Sequence, residues 1–295
     1  MSAAVSSTGR ARRMTGMVAA SVAVLASLAG CASSESESSA ATTAGGDLAV
    51  SHVHGVGFDP ADGRILVATH HGLFGVDENG SSEQVGPVID LMGFTVAGPA
   101  RLLASGHPGP DVDLPQPVGL VESADGGRTW DPVSRQGESD FHALTVGGAG
   151  VLGYDGALRR STDGEDWEDL RIPAQPAVLS ASPAGTEVLA TTSQGLLRSA
   201  DGGSTWSQVG GSPLLQTVAW GENGTTVVGF EPTGEVWTSR DGGVTWQEGP
   251  GVGAPVQAAA VGAAADGAAR VAVVTTEGVL VSDDGGQTFA VVLGF

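Results

Sequence analysis

Six histidines offer this chain its most versatile chemistry: His52, His54, His70, His71, His107 and His142. None follows position 142 in a chain of 295 residues. A neutral imidazole ligates Zn, Cu, Ni or Fe, and its charge changes close to neutral pH. Asp90, Asp140, Tyr154 and Asp155 lie in the same part of the sequence. Carboxylates converging with imidazoles complete a transition-metal site, with zinc or copper as the cofactor expected. Two carboxylates at the right separation would instead serve as acid and base in glycoside hydrolysis. Asp140 and Asp155, with Tyr154 beside them, are the catalytic candidates for that chemistry. A solitary histidine more often caps a turn, so everything depends on whether these residues meet.

What brings them together must be read from the repeats. SADGGRTW begins at Ser123, STDGEDW at Ser161, SADGGSTW at Ser199, SRDGGVTW at Ser239 and SDDGGQTF at Ser282. Their aspartates, Asp125, Asp163, Asp201, Asp241 and Asp284, recur every 38 to 43 residues, the period of a four-stranded propeller blade. A site is rarely built five times, whereas a structural unit often is. Upstream of each box lie short β-rich runs with turn residues between them and no helical periodicity. EVLATT, SQG, LLRS and TWSQV, all within Glu187–Val209, read as strand, turn, strand and strand after the box. Turn glycines before the third strand occur six times, at Gly72, Gly119, Gly156, Gly195, Gly234 and Gly278. The first unit, His54–Gly80, carries DENG where a box would be. The fold expected is all-β, a six-bladed β-propeller, with the segment Leu48–Val53 available to close the ring beside the last blade.

Strand direction then sorts the histidines. His52, His54 and His142 precede or open an innermost strand, and His70, His71 and His107 lie in turns between second and third strands. Both classes fall on one face, called top here, over three adjacent blades. Asp90, Asp140, Tyr154 and Asp155 share it, and the proline-bearing insert Ser105–Pro117 should stiffen its rim.

The pattern S-x-D-G-G-x-T-W resembles the Asp-box, or BNR repeat, of sialidases, sortilin-type propellers and photosystem II assembly-factor propellers. The resemblance covers nearly all of the chain past residue 47. It implies that each box is structural: the Asp accepts backbone N–H groups of its turn, the Gly pair takes positive φ, and Trp130, Trp167, Trp206 and Trp246 pack between blades. STDGEDW is one residue short, and Phe289 replaces the last Trp. HVHG (His52–Gly55), THHG (Thr69–Gly72), SGHP (Ser105–Pro108), DFHA (Asp140–Ala143) and GYDG (Gly153–Gly156) are similar to segments of bacterial secreted or lipid-anchored BNR-repeat proteins labelled glycosyl hydrolases. Sialidases need an arginine triad on the top face. Here Arg159, Arg160, Arg198 and Arg240 flank boxes, and Arg64 and Arg101 start second strands, so sialidase activity is not expected.

The N-terminus reads as an export signal. Arg10, Arg12 and Arg13 precede the apolar run Met17–Leu28, and LAGC follows. LAGC resembles the bacterial lipobox, whose cysteine receives a diacylglycerol, and Cys31 is the only cysteine present. Residues 1–30 are thus expected to be a lipoprotein signal peptide, 31–47 a Ser/Glu/Thr-rich tether and 48–295 the propeller. Two acyl chains hold a protein at a membrane where one does not. The expected location is the outer face of the cytoplasmic membrane.

All 13 cationic side chains are Arg, against 33 Asp and Glu, for a net charge of −20. Such a surface repels phosphate backbones, which excludes nucleic acid as a partner. The functional expectation is a binding protein whose histidine-bearing face takes a metal ion, a glycan or an exported protein partner. A glycoside hydrolase and an assembly scaffold are the alternatives.

Overall fold

A computed structural model describes residues 52–264 and 267–295, so the signal, the tether and Cys31 lie outside the described residues. Among those residues every regular element is a β-strand. Blade one comprises β1 (Val53–Phe58), β2 (Ile65–Thr69), β3 (Gly72–Val76) and β4 (Ser82–Val85). Blade two follows with β5 (Ile89–Gly98), β6 (Arg101–Pro108), β7 (Leu120–Ser123) and β8 (Asp131–Ser134). Blade three has β9 (Ala143–Gly147), β10 (Gly150–Tyr154), β11 (Leu158–Ser161) and β12 (Glu168–Leu170). Blade four has β13 (Pro176–Ala181), β14 (Val188–Thr192), β15 (Gly195–Ser199) and β16 (Ser207–Gln208). Blade five has β17 (Thr217–Trp220), β18 (Val227–Phe230), β19 (Val236–Ser239) and β20 (Gln247–Glu248). Blade six has β21 (Val256–Ala263), β22 (Ala269–Thr275), β23 (Gly278–Ser282) and β24 (Ala290–Gly294). Each blade is an antiparallel meander of four consecutive strands, and the six form a six-bladed β-propeller.

The middle strands of each blade are buried on both faces and read as apolar runs, as in ILVAT and VLATT. They pack blade against blade. Leu66 and Leu73 of blade one meet Leu102 and Val121 of blade two, with Trp130 against the cluster. Trp167, Trp206, Trp246 and Phe289 occupy the equivalent places at the next four junctions. At the sixth, between blades six and one, Phe74 and Val76 meet Ala272, Val274 and Val279, with Val292 and Leu293 where a box aromatic would sit.

The segment Leu48–Val53 offered for closure lies, except for His52 and Val53, outside the described residues. All four strands of the last blade come from its own sequence, and β1 packs beside β21. Val53 belongs to the innermost strand of blade one. Side-chain packing between blades closes the described ring.

The box turns owe their shape to local hydrogen bonds. In SADGGSTW, Thr205 donates its backbone N–H to Asp201 Oδ1 at 2.8 Å and its hydroxyl to Oδ2 at 2.6 Å. Ser199 Oγ donates to Asp201 Oδ1 and accepts the Gly203 N–H at 2.8 Å. Gly202 and Gly203 sit at φ of 68° and 86°, where a side chain would be strained. The same bonds recur at Asp125, Asp241 and Asp284. The shorter Asp163 turn is capped instead by the N–H groups of Glu165 and Asp166.

The six innermost strands line a central channel of about 460 Å³. His54, Met92 and His142 stand in its wall.

Candidate metal centre

Two β-bulges and a cross-strand register build the channel mouth. In blade one Val53 pairs with Thr69 and Gly55 with Ala68, leaving His54 as the extra, unpaired residue. A bulge of this kind re-aims a side chain at the end of a strand. The THHG turn beside it is fixed by Thr69, whose Oγ1 donates to Gly72 O and accepts the His71 N–H. The His70 N–H donates to His52 O at 3.0 Å, tying that turn to the strand entry.

In blade two, Asp90 of β5 lies directly opposite His107 of β6. The register then shifts so that Gly93 faces Ser105. Gly106 permits the close approach: at φ +144°, a Cβ there would stand 1.9 Å from the Asp90 carbonyl oxygen. Asp140 comes from the entry to blade three and is held on both sides. The Phe141 N–H donates to the buried Ser105 Oγ at 2.9 Å, and Ser139 Oγ donates to Asp155. Phe141 is wholly buried and stacks on Trp167 with ring centroids 4.9 Å apart.

The resulting side chains form a continuous chain of imidazoles and carboxylates. Asp90 receives His70 Nδ1 on Oδ2 at 2.8 Å, with His54 Nε2 3.5 Å from Oδ1 and His107 Nδ1 3.6 Å from Oδ2. His107 Nε2 is 3.5 Å from Asp140 Oδ2, which also bonds His142 Nε2 at 2.8 Å. Nitrogens of His54 and His70 and an Asp90 oxygen all lie within 4.8 Å of one another. Two imidazoles and a carboxylate are a ligand set for a first-row transition metal.

The electrostatics suit a cation. Burial pushes the His54 imidazole below its ordinary pKa; Asp90 opposes this, while His70, His52 and His142 reinforce it. His54 therefore presents the neutral, ligand-competent form at neutral pH. Its Nε2 is buried without a hydrogen-bond partner, as are Asp90 Oδ1 and Asp140 Oδ1. Buried polar atoms are nearly always paired, and leaving one unpaired costs about 1–3 kcal/mol. The 3.5 Å between His54 Nε2 and Asp90 Oδ1 is too long for a hydrogen bond. It is close to the ~3.3 Å edge of a tetrahedron of ligands 2.0–2.1 Å from a metal.

The other candidates border this chain of contacts. His52 is exposed, its carbonyl serving the His70 N–H. The His71 ring stands edge-on to His70, with centroids 5.5 Å apart. Asp155 is committed elsewhere: Arg159 Nε donates to both its oxygens at 3.0–3.1 Å, with Ser139 and the Ala157 N–H beside it. Burial pushes this carboxyl up, but the bonds from Ser139 and Arg159 outweigh it and leave the group below the ordinary range. A general acid needs the opposite shift. Tyr154 packs against the core between blades three and four, and its carbonyl accepts the His142 N–H. The insert after His107 docks Val112 and Leu114 on the core between blades one and two. Asp90 is the hub that the sequence alone left at the edge of the site. Its signal was its place at the start of an innermost strand, matching those of His54 and His142.

The fold defines the class, a six-bladed β-propeller with a histidine–aspartate cluster at one channel mouth. No protein-family model matches the chain, and no curated protein does. Solved structures share the fold. The GH74 xyloglucanase from Xanthomonas campestris superposes with a TM-score of 0.52 at 19% identity, over 82% of this chain and 45% of that one. The extracellular domain of a hybrid two component system from B. thetaiotaomicron gives 0.54 at 11% identity, over 82% and 33%. A gluconolactonase from Xanthomonas campestris gives 0.58 at 13% identity, over 76% and 83%. The chain spans only 38–60% of the length of the GH74 enzymes it matches. At these identities the likeness is one of fold.

Proposed function

We propose that this chain is an extracytoplasmic metal-binding propeller whose ion, zinc or copper, is held at the channel mouth by His54, His70 and Asp90. The observation that carries this reading is the pair of buried, unpartnered atoms, His54 Nε2 and Asp90 Oδ1, facing each other at 3.5 Å beside His70. An ion of charge +2 would satisfy both and would be drawn by a chain of net charge −20. The test is metal content by mass spectrometry on the full chain and on His54→Ala and Asp90→Asn variants. Near-stoichiometric metal, lost in both variants, supports the site. No metal in any of them, after incubation with zinc and copper salts, would overturn it and turn attention to a glycan or an exported protein as the ligand.

Two further parts of the proposal rest on sequence. The repeated turns support a place among Asp-box propellers, because in four of the five boxes the Asp, Ser and Thr make the bonds that such a motif requires. LAGC supports a diacylglycerol anchor on Cys31 at the outer face of the cytoplasmic membrane. A Cys31→Ser chain should then leave the membrane fraction for the soluble one.

A further inference from the structure

Three side chains leave a metal ion's coordination sphere incomplete. Ligand atoms of His54, His70 and Asp90 lie within 4.8 Å of one another. The next imidazole and carboxylate are engaged with each other, His142 Nε2 bonding Asp140 Oδ2 at 2.8 Å. Zinc held by three side chains keeps a fourth position for water or a substrate, whereas a structural site is closed by four. His54 and His142 both stand in the wall of the central channel, so the open position borders a space of about 460 Å³. Each innermost strand is also the edge of its sheet, with backbone N–H and C=O groups that have no ladder partner on the inner side. A solute that occupies this space has to form hydrogen bonds.

Asp140 fixes what His142 has to offer. An ionised carboxylate only accepts, so the imidazole proton resides on Nε2 and Nδ1 is left as an acceptor. Asp140 cannot easily turn away, because Phe141 and Ser139 on either side of it are bonded to Ser105 and Asp155. The His142 backbone is pinned by its own N–H to the Tyr154 carbonyl, and its ring is 59% exposed. A divalent ion with one carboxylate ligand keeps a positive charge and draws an anionic oxygen, whereas His142 Nδ1 calls for an O–H. Building on the metal-binding reading above, we infer that the channel mouth binds a small hydroxycarboxylate. Its carboxylate takes the open position on the ion and its hydroxyl donates to His142 Nδ1. The other ionisable side chain in the channel wall, Glu222, follows β17 at the opposite end and disfavours an anion there.

The experiment loads the full chain with cobalt(II), whose visible absorption reports its coordination sphere. Glycolate is the probe, and acetate, which lacks the hydroxyl, is the control. Both should shift the cobalt bands saturably, glycolate at the lower concentration. His142→Ala should hold as much cobalt as the wild type, measured by mass spectrometry. It should bind acetate almost unchanged and glycolate about 5-fold more weakly, through the loss of one hydrogen bond. A chain that holds cobalt but whose bands respond to neither acid would overturn the inference and leave the metal site standing. Glycolate and acetate weakened alike, or neither weakened, would overturn it by removing the hydroxyl contact. Loss of cobalt from a folded His142→Ala chain would make His142 a ligand of the ion and overturn it too. A wild type that takes up no cobalt would overturn both this inference and the metal-binding reading. Circular dichroism on the variant separates loss of binding from loss of fold.

Discussion

At the scale of the residue, the channel mouth is a set of paired oppositions. Asp90 gathers His54, His70 and His107, and Asp140 gathers His107 and His142. What holds Asp90 in place is a glycine: any side chain at Gly106 would collide with the Asp90 carbonyl. Gly106→Ala should therefore destabilise the protein by about 1–3 kcal/mol and weaken metal binding together, measured by thermal unfolding and zinc titration. Asp155→Asn should separate the two effects. The carboxylate binds Arg159 and Ser139, away from the proposed metal ligands, so its loss should cost about 1–2 kcal/mol of stability with metal content unchanged. If Asp155→Asn instead abolished metal binding while the fold survived, the assignment of this residue as an anchor would be wrong. The six histidines were legible as one face from sequence, because strand direction fixes which ends share a side. The centrality of Asp90 was not. It depends on the register between β5 and β6 and on a bulge, neither of which leaves a pattern in a single strand.

At the scale of the element, the repeated box is a self-contained hydrogen-bonded turn. The bonds from Thr205 and Thr245 hold the Asp201 and Asp241 carboxyls at about 2, against an ordinary 3.8. A carboxyl depressed on folding adds stability that is complete above its unfolded pKa and lost as pH falls through the folded one. The contribution of these turns should thus fade between about pH 4 and pH 2. The gap in Tm between wild type and Asp201→Ala should be full at pH 6 and shrink steadily across that window. A gap independent of pH would refute the link between turn and charge. The box tryptophans add packing. Trp206 is half-buried at the junction of blades three and four, and Trp206→Ala should cost roughly 2–3 kcal/mol. The boxes were readable from sequence because every bond in them spans at most four residues. Trp167 adds what no repeat reveals: it stacks on Phe141, next to Asp140, so this one box also braces the site.

At the scale of the whole molecule, six blades make a ring because each has an apolar face for either neighbour. Blade number was legible from the six turn glycines. The manner of closure was not, since it rests on contacts between the first and last blades: Phe74 and Val76 against Ala272, Val274 and Val279. Val274→Asp would place an unpaired charge at a fully buried position of this junction. A loss above about 4 kcal/mol is expected, with the cooperative transition giving way to early opening at blades one and six, visible by hydrogen exchange. Uniform exchange across all blades would contradict closure by packing at this seam. The ring also explains why a site appears at one mouth: the entries to blades one, two and three supply His54, Asp90 and Asp140 to one rim. The most direct test of the central claim is a crystal of the full chain equilibrated with zinc, examined by anomalous scattering. The account predicts a peak about 2.0–2.1 Å from His54 Nε2 and His70 Nδ1, with an Asp90 oxygen as third ligand. A saturated crystal with no peak at this mouth, or with zinc only at surface carboxylates elsewhere, would contradict it.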